Sequence, residues 1–100
     1  MDDRVLLRTA ADRLDALAAR TTAGDWRTGG LLATRPEVIA HRNGETEHVA
    51  EARAGTAAWI SALSPVVGPP LAAWLRAAAA APSVEQAATA LARVLLERLP

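Results

Sequence analysis

Cysteine, lysine, phenylalanine and tyrosine are all missing from this 100-residue chain. Without cysteine there is no disulfide framework, no thiolate nucleophile and no cysteine-based zinc site. Without lysine, all 11 basic residues are arginines, and 11 acids balance them to a formal net charge of zero. A balanced chain lacks the broad positive field that holds nucleic acid regardless of sequence, although a local arginine patch stays open. Long apolar runs look scarce as well. The longest alanine-rich stretch carries Arg76 and stops at Pro82, short of the 18 or so residues of a membrane helix. The start, Met1-Asp2-Asp3-Arg4, is acidic, unlike the basic-then-apolar layout of a secretory signal, so the expectation is a soluble cytoplasmic protein.

What is present is alanine, arginine and three tryptophans, a bias that reads as the codon usage of a GC-rich genome. The length suits a single domain spanning residues 1–100. Trp26, Trp59 and Trp74 are its only aromatic side chains and its largest apolar ones, so they are expected to mark the core. On that reading, truncating any of them to alanine costs about 3–5 kcal/mol.

Periodicity predicts an α+β fold: an N-terminal helix, a small antiparallel sheet with a hairpin, then three C-terminal helices. Over residues 2–20, Val5, Leu6, Ala10, Leu14, Leu17 and Ala18 recur at helical spacing, with Asp2 or Asp3 as the cap and Gly24 as the stop. Trp26-Arg27 reads as a short strand. Asn43-Gly44 between Glu37–Arg42 and Glu45–Ala50 is a two-residue hairpin signal. It places Arg42 opposite Glu45, Ile39 opposite His48 and Val38 opposite Val49. Residues 52–64 return to helix around Trp59. Ser64-Pro65 begins a short turn, Pro70 opens a helix to Ala81, and Ser83 with Gln86 forms a capping box for the last helix.

Few residues suggest chemistry. His41 and His48 share a hairpin face and, with Glu37, could make a two-histidine-one-carboxylate site, or they are ordinary surface or core-edge histidines. Glu45, Glu47 and Glu51 lie on an exposed hairpin, where pairing with Arg42 and Arg53 suits them better than acid–base catalysis. Gly24 to Gly30 has neither the spacing nor the lysine of a phosphate-binding loop. No catalytic constellation and no cofactor signature emerge. Arginine beside tryptophan, in Trp26-Arg27 and Trp74-Leu75-Arg76, is what a base-stacking platform would need. The C-terminal helices carry more apolar surface than one helix and a small sheet obviously cover. An interface with a protein partner or a second copy is therefore expected at Leu71, Trp74, Leu75, Leu91 and Leu95.

Two segments, Leu14-Asp-Ala-Leu-Ala-Ala-Arg-Thr-Thr-Ala-Gly-Asp-Trp26 and Gly55-Thr-Ala-Ala-Trp-Ile-Ser-Ala-Leu-Ser-Pro65, resemble small proteins of actinobacterial genomes and bacteriophages, similar to the early-protein family of lambdoid phages. That family shows a helix, a Thr-Pro-Gly-Pro-Trp-like turn, short strands, then Asn/Asp-Ala-x-Phe-Ile-Ala and a later Asn-Pro. Here Ala23 and Asp25 stand for the prolines, Gly55 for the Asn or Asp, Trp59 for the Phe and Ser64 for the Asn. The resemblance spans roughly the first two-thirds of the chain. It implies a mobile-element or accessory protein that acts by binding. The expected function is thus a non-enzymatic interaction protein, with a nucleic-acid-associated regulator as the alternative.

Overall fold

The computed structural model describes residues Met1–Pro100. The chain is α+β, in the order α1 (Asp3–Ala19), β1 (Asp25–Gly29), β2 (Glu37–Arg42), β3 (Glu45–Glu51), α2 (Ala54–Ala62), a 3-10 turn (Pro65–Val67), α3 (Gly68–Ala80) and α4 (Gln86–Arg98). It divides into two compact units. One is helical and joins Met1–Arg20 to Val67–Pro100; the other is Thr21–Val66.

In the helical unit, α1 starts where Asp2, in extended backbone, accepts a 3.0 Å hydrogen bond from the Val5 N–H. That bond holds the Asp2 carboxyl below its usual range. The cap therefore contributes above the ordinary carboxylate pKa and is lost as pH falls through the lowered value. α3 begins two residues earlier than expected, at Gly68. Pro69 and Pro70 both fit its first turn, because the N–H groups they lack would have no helical partner there. It ends at Ala80, with Ala81 extended ahead of Pro82. α4 departs further from expectation. Its N-cap is Glu85, with no side-chain cap bond, so the Ser83 capping box does not form. Val84 packs against the core just ahead of that cap and keeps the segment out of the helix.

Alanine fills most of this core. Leu7, Ala10 and Ala11 of α1, Ala72, Leu75 and Ala79 of α3, and Ala88 and Ala92 of α4 are buried together. Small side chains let helix axes approach toward about 8 Å, the short end of the usual range. Gly68 shows how close this is, since a Cβ there would lie 2.8 Å from the Ala18 Cβ. At the far end of the same pair, the Arg4 guanidinium donates to the carbonyls of Ala79, Ala81 and Pro82, the last two at 2.7 and 3.2 Å. The two helices are therefore antiparallel, and α1 supplies the cation that the last turn of α3 lacks. Arg76 bridges back to Asp12 at 2.8 Å and Asp15 at 2.7 Å.

The second unit is a meander with strand order β1-β2-β3. Asn43 and Gly44 both have positive φ, 53° and 80°, as a type I′ turn requires. Arg42 pairs with Glu45 and Ile39 with His48, as expected. Val38 instead pairs with Ala50, because a bulge at this point leaves Val49 as the extra residue. Val38 and Ala40 are buried, and α2 packs on β1 and β2 with Ala57 buried. Trp26, the cross-strand partner of Ala40, shares that face half-buried and donates its indole N–H to the Thr22 carbonyl at 3.0 Å. Gly24, at φ 116°, sits where a Cβ would come within 2.7 Å of the His41 carbonyl oxygen.

Two substitutions test the alanine core. Leu75→Ala should cost about 2–5 kcal/mol in urea unfolding. Gly68→Ala gains about 1 kcal/mol of helix propensity, yet should still destabilise, because its methyl meets the rigid Ala18 methyl. A more stable Gly68→Ala protein would show that the helices are not held this close.

Candidate interaction surface

The helix after the hairpin has one property that the sequence pattern hides. α2 contains no charged residue, and none occurs between Arg53 and Arg76. Such a helix is apolar all the way round, a composition that belongs inside a core or a membrane. Yet only one of its sides is used. Ala57 is fully buried, Ile60 and Ser61 are half-buried, and Ser64 beyond the helix is 3 % exposed, at helical spacing along one stripe. The opposite side is bare. Trp59 is 68 % exposed, Leu63 53 % and Val66 63 %. Trp59 on α2, Leu63 at its C-cap and Val66 in the 3-10 turn beyond make up this exposed ridge, with Gly55, Ala58 and Ala62 of α2 exposed as well.

The expectation that tryptophans mark the core is therefore overturned. Trp59 is mostly in solvent, Trp74 is 44 % exposed, and Trp26 is half-buried. The largest fully buried side chains are Leu7, Leu75 and Val38. Where backbones approach closely enough for alanine to meet alanine, an indole has no room.

The five residues expected to form an interface are not gathered into one. Leu75 is fully buried and has no surface to offer. Leu91 and Leu95 are partly buried against the same core, and Leu71 is half-buried. Trp74 alone of the five is largely exposed. The expectation was that one helix and a small sheet leave part of the C-terminal stripes uncovered. α1 packs against both α3 and α4, and Trp74 and Val94 stay 44 % and 48 % exposed.

The other candidates fare as follows. His41 and His48 do share the sheet face away from α2, and His48 Nδ1 lies 3.8 Å from Glu37 Oε1. No three His, Asp or Glu side chains converge as a metal ion would require. Glu51 pairs with Arg35 at 2.6 Å rather than with Arg42 or Arg53. The arginines beside two of the tryptophans are already engaged, Arg27 by Asp25 at 2.7 Å and Arg76 by Asp12 and Asp15. The hydrogen bonds that Arg76 donates to Asp12 and then Asp15 raise its pKa above the ordinary value.

One correction concerns membranes. The helical stretch Ala54–Ala80, 27 residues with a mean hydropathy of 1.3, is long and apolar enough to cross a bilayer by length and composition. Arg76 interrupts only its last turns, and counting alanines alone overlooked the run before it. Its α3 portion is a core helix of the helical unit, through Ala72, Leu75 and Ala79.

Compared with family models, curated proteins and solved structures, the chain matches none. The surface is therefore judged on its own chemistry. Trp59→Ala should change unfolding free energy by less than about 1 kcal/mol, against the 3–5 expected of a core indole. A cost in the core range would place Trp59 inside.

Proposed function

We propose that this is a non-enzymatic interaction protein whose contact surface is the bare side of α2. The observation that carries the reading is the exposed Trp59–Leu63–Val66 ridge on a helix without charge. A soluble chain rarely leaves a contiguous apolar ridge in water unless something covers it. Tryptophan is also among the residues that contribute most where proteins meet, because a rigid ring buries much area at little entropic cost. The setting consistent with this is an accessory protein of a cytoplasm or mobile element, as the resemblance to the lambdoid-phage early proteins implies. A nucleic-acid role draws no comparable support, since Arg27 and Arg76 are tied to carboxylates.

Photo-crosslinking tests this directly. A benzophenone amino acid at position 59 or 63 should give discrete adducts in cells expressing the protein. The same group at position 13, among the exposed charges of α1, should not. Equal or absent labelling from all three positions would remove α2 as the contact surface.

A further inference from the structure

We infer that the occupant of the bare α2 side is a second copy of this chain, packed antiparallel across a two-fold axis. The inference rests on the reading of α2 as a contact surface and goes on to name its partner.

Charge is the first argument. A two-fold axis brings every group near its own copy, so a charged face pays like-charge repulsion there. α2 has no charge to repel, from Ala54 to Ala62, and none follows it through Val66. For the same reason it offers nothing by which a foreign protein of complementary charge would be chosen. Shape must carry the recognition. Large side chains at Trp59, Leu63 and Val66 run beside the small ones at Gly55, Ala58 and Ala62, so the ridge of one copy has a groove in the other.

The helix ends supply a second, independent argument. Arg53 stands at the N-cap, exposed; its carbonyl accepts the Ala57 N–H at 2.8 Å, and its side chain makes no hydrogen bond or ion pair within the chain. At the other end, the last turn of α2 carries no basic residue to meet its carbonyls. α2 is about 13 Å long at the usual rise per residue. In an antiparallel pair, Arg53 of each copy comes within reach of the other's C-terminal carbonyls, and the opposed helix dipoles attract. The Leu63 N–H meets the Trp59 carbonyl, but no basic side chain meets the rest of that end, and the unengaged Arg53 guanidinium of a second copy can supply one.

Size sets the strength. The exposed parts of the ridge and its flanking small residues amount to about 500 Å² per copy, or about 1,000 Å² in all, the small end for a specific interface. The dimer should therefore dissociate on dilution. A lipid surface fits less well. Glu45, Glu47 and Glu51 on the neighbouring β3 are exposed acids, and α2 has no basic rim.

Sedimentation velocity on the full chain, from about 1 µM to about 1 mM, should show the mass doubling within that range. Trp59→Glu should shift the midpoint at least about tenfold upward, and Arg53→Glu should shift it in the same direction. Both variants should keep the wild-type circular dichroism, since Trp59 is exposed and the Arg53 side chain makes no internal bond. The chain's lack of cysteine allows a clean covalent check, in which Ala58→Cys, beside the two-fold axis, oxidises to a disulfide dimer and Ala90→Cys does not. A monomer throughout overturns the inference, as does a dimer indifferent to Trp59→Glu and Arg53→Glu. Flotation of a monomer with phosphatidylcholine–phosphatidylglycerol vesicles would overturn it in favour of a membrane. Crosslinks from position 59 to other proteins, without self-association, would overturn the second copy yet leave the contact surface standing. Absence of any adduct removes both.

Discussion

The helical unit depends on how closely α1 and α3 approach. Gly68 lies so near Ala18 that one added carbon would collide, and alanines line most of the seam. Dispersion between methyl groups is weak per pair and adds up only at contact distance, so an alanine core is stable only when the backbones are near each other. Everything else in the unit follows from holding that distance. Arg4 closes the end of α3 by donating to the Ala79 carbonyl and to those of Ala81 and Pro82 just beyond it, and Arg76 ties α3 to Asp12 and Asp15. These polar ties are longer-range and more directional than the methyl contacts, and they fix the register in which small residues meet.

A core built this way has no place for large rings. Trp74, on α3, accordingly stays 44 % exposed; in the sheet unit, Trp26 is half-buried and Trp59 is 68 % exposed. The consequence for function is direct. The strongest apolar groups of the chain lie at the surface, and α2 concentrates one of them with Leu63 and Val66 on a side that nothing in the chain covers. In the sheet unit, the three strands and one helix form a single buried layer around Val38, Ala40 and Ala57. Only one side of α2 belongs to that layer, and its other side is as apolar as the first.

Element types and their order were legible because their causes are local. Asn43-Gly44 needs positive φ at two successive residues, and it specifies a tight hairpin wherever the chain goes. Asp2 caps α1 through a contact three residues away. Prolines near 70 and at 82 bracket α3 to within two residues. The misreadings also share a cause. The capping box at Ser83 was a local signal overruled when Val84 turned into the core. The bulge at Val49 shifted one pair of a register otherwise read correctly. The exposure of Trp59 and Leu63 was missed because α2's exposed residues are mostly apolar, and an apolar residue on a helix reads as core. The available hint was the absence of any charge from Ala54 to Leu75, which leaves such a helix without a solvated face.

The sequence by itself determined the α+β class, the hairpin turn and the near-positions of the helices, since each depends on residues within a few positions of one another. Which apolar side chains are buried was decided only in three dimensions. Burial depends on the distance between backbones, and that distance is set by pairs such as Ala18 with Gly68 and Arg4 with Ala79, far apart along the chain. Leu75 went inside and Trp74, its neighbour on α3, stayed 44 % exposed for that reason: the space between closely packed helices admits a leucine in a gap among alanines, and it does not admit an indole.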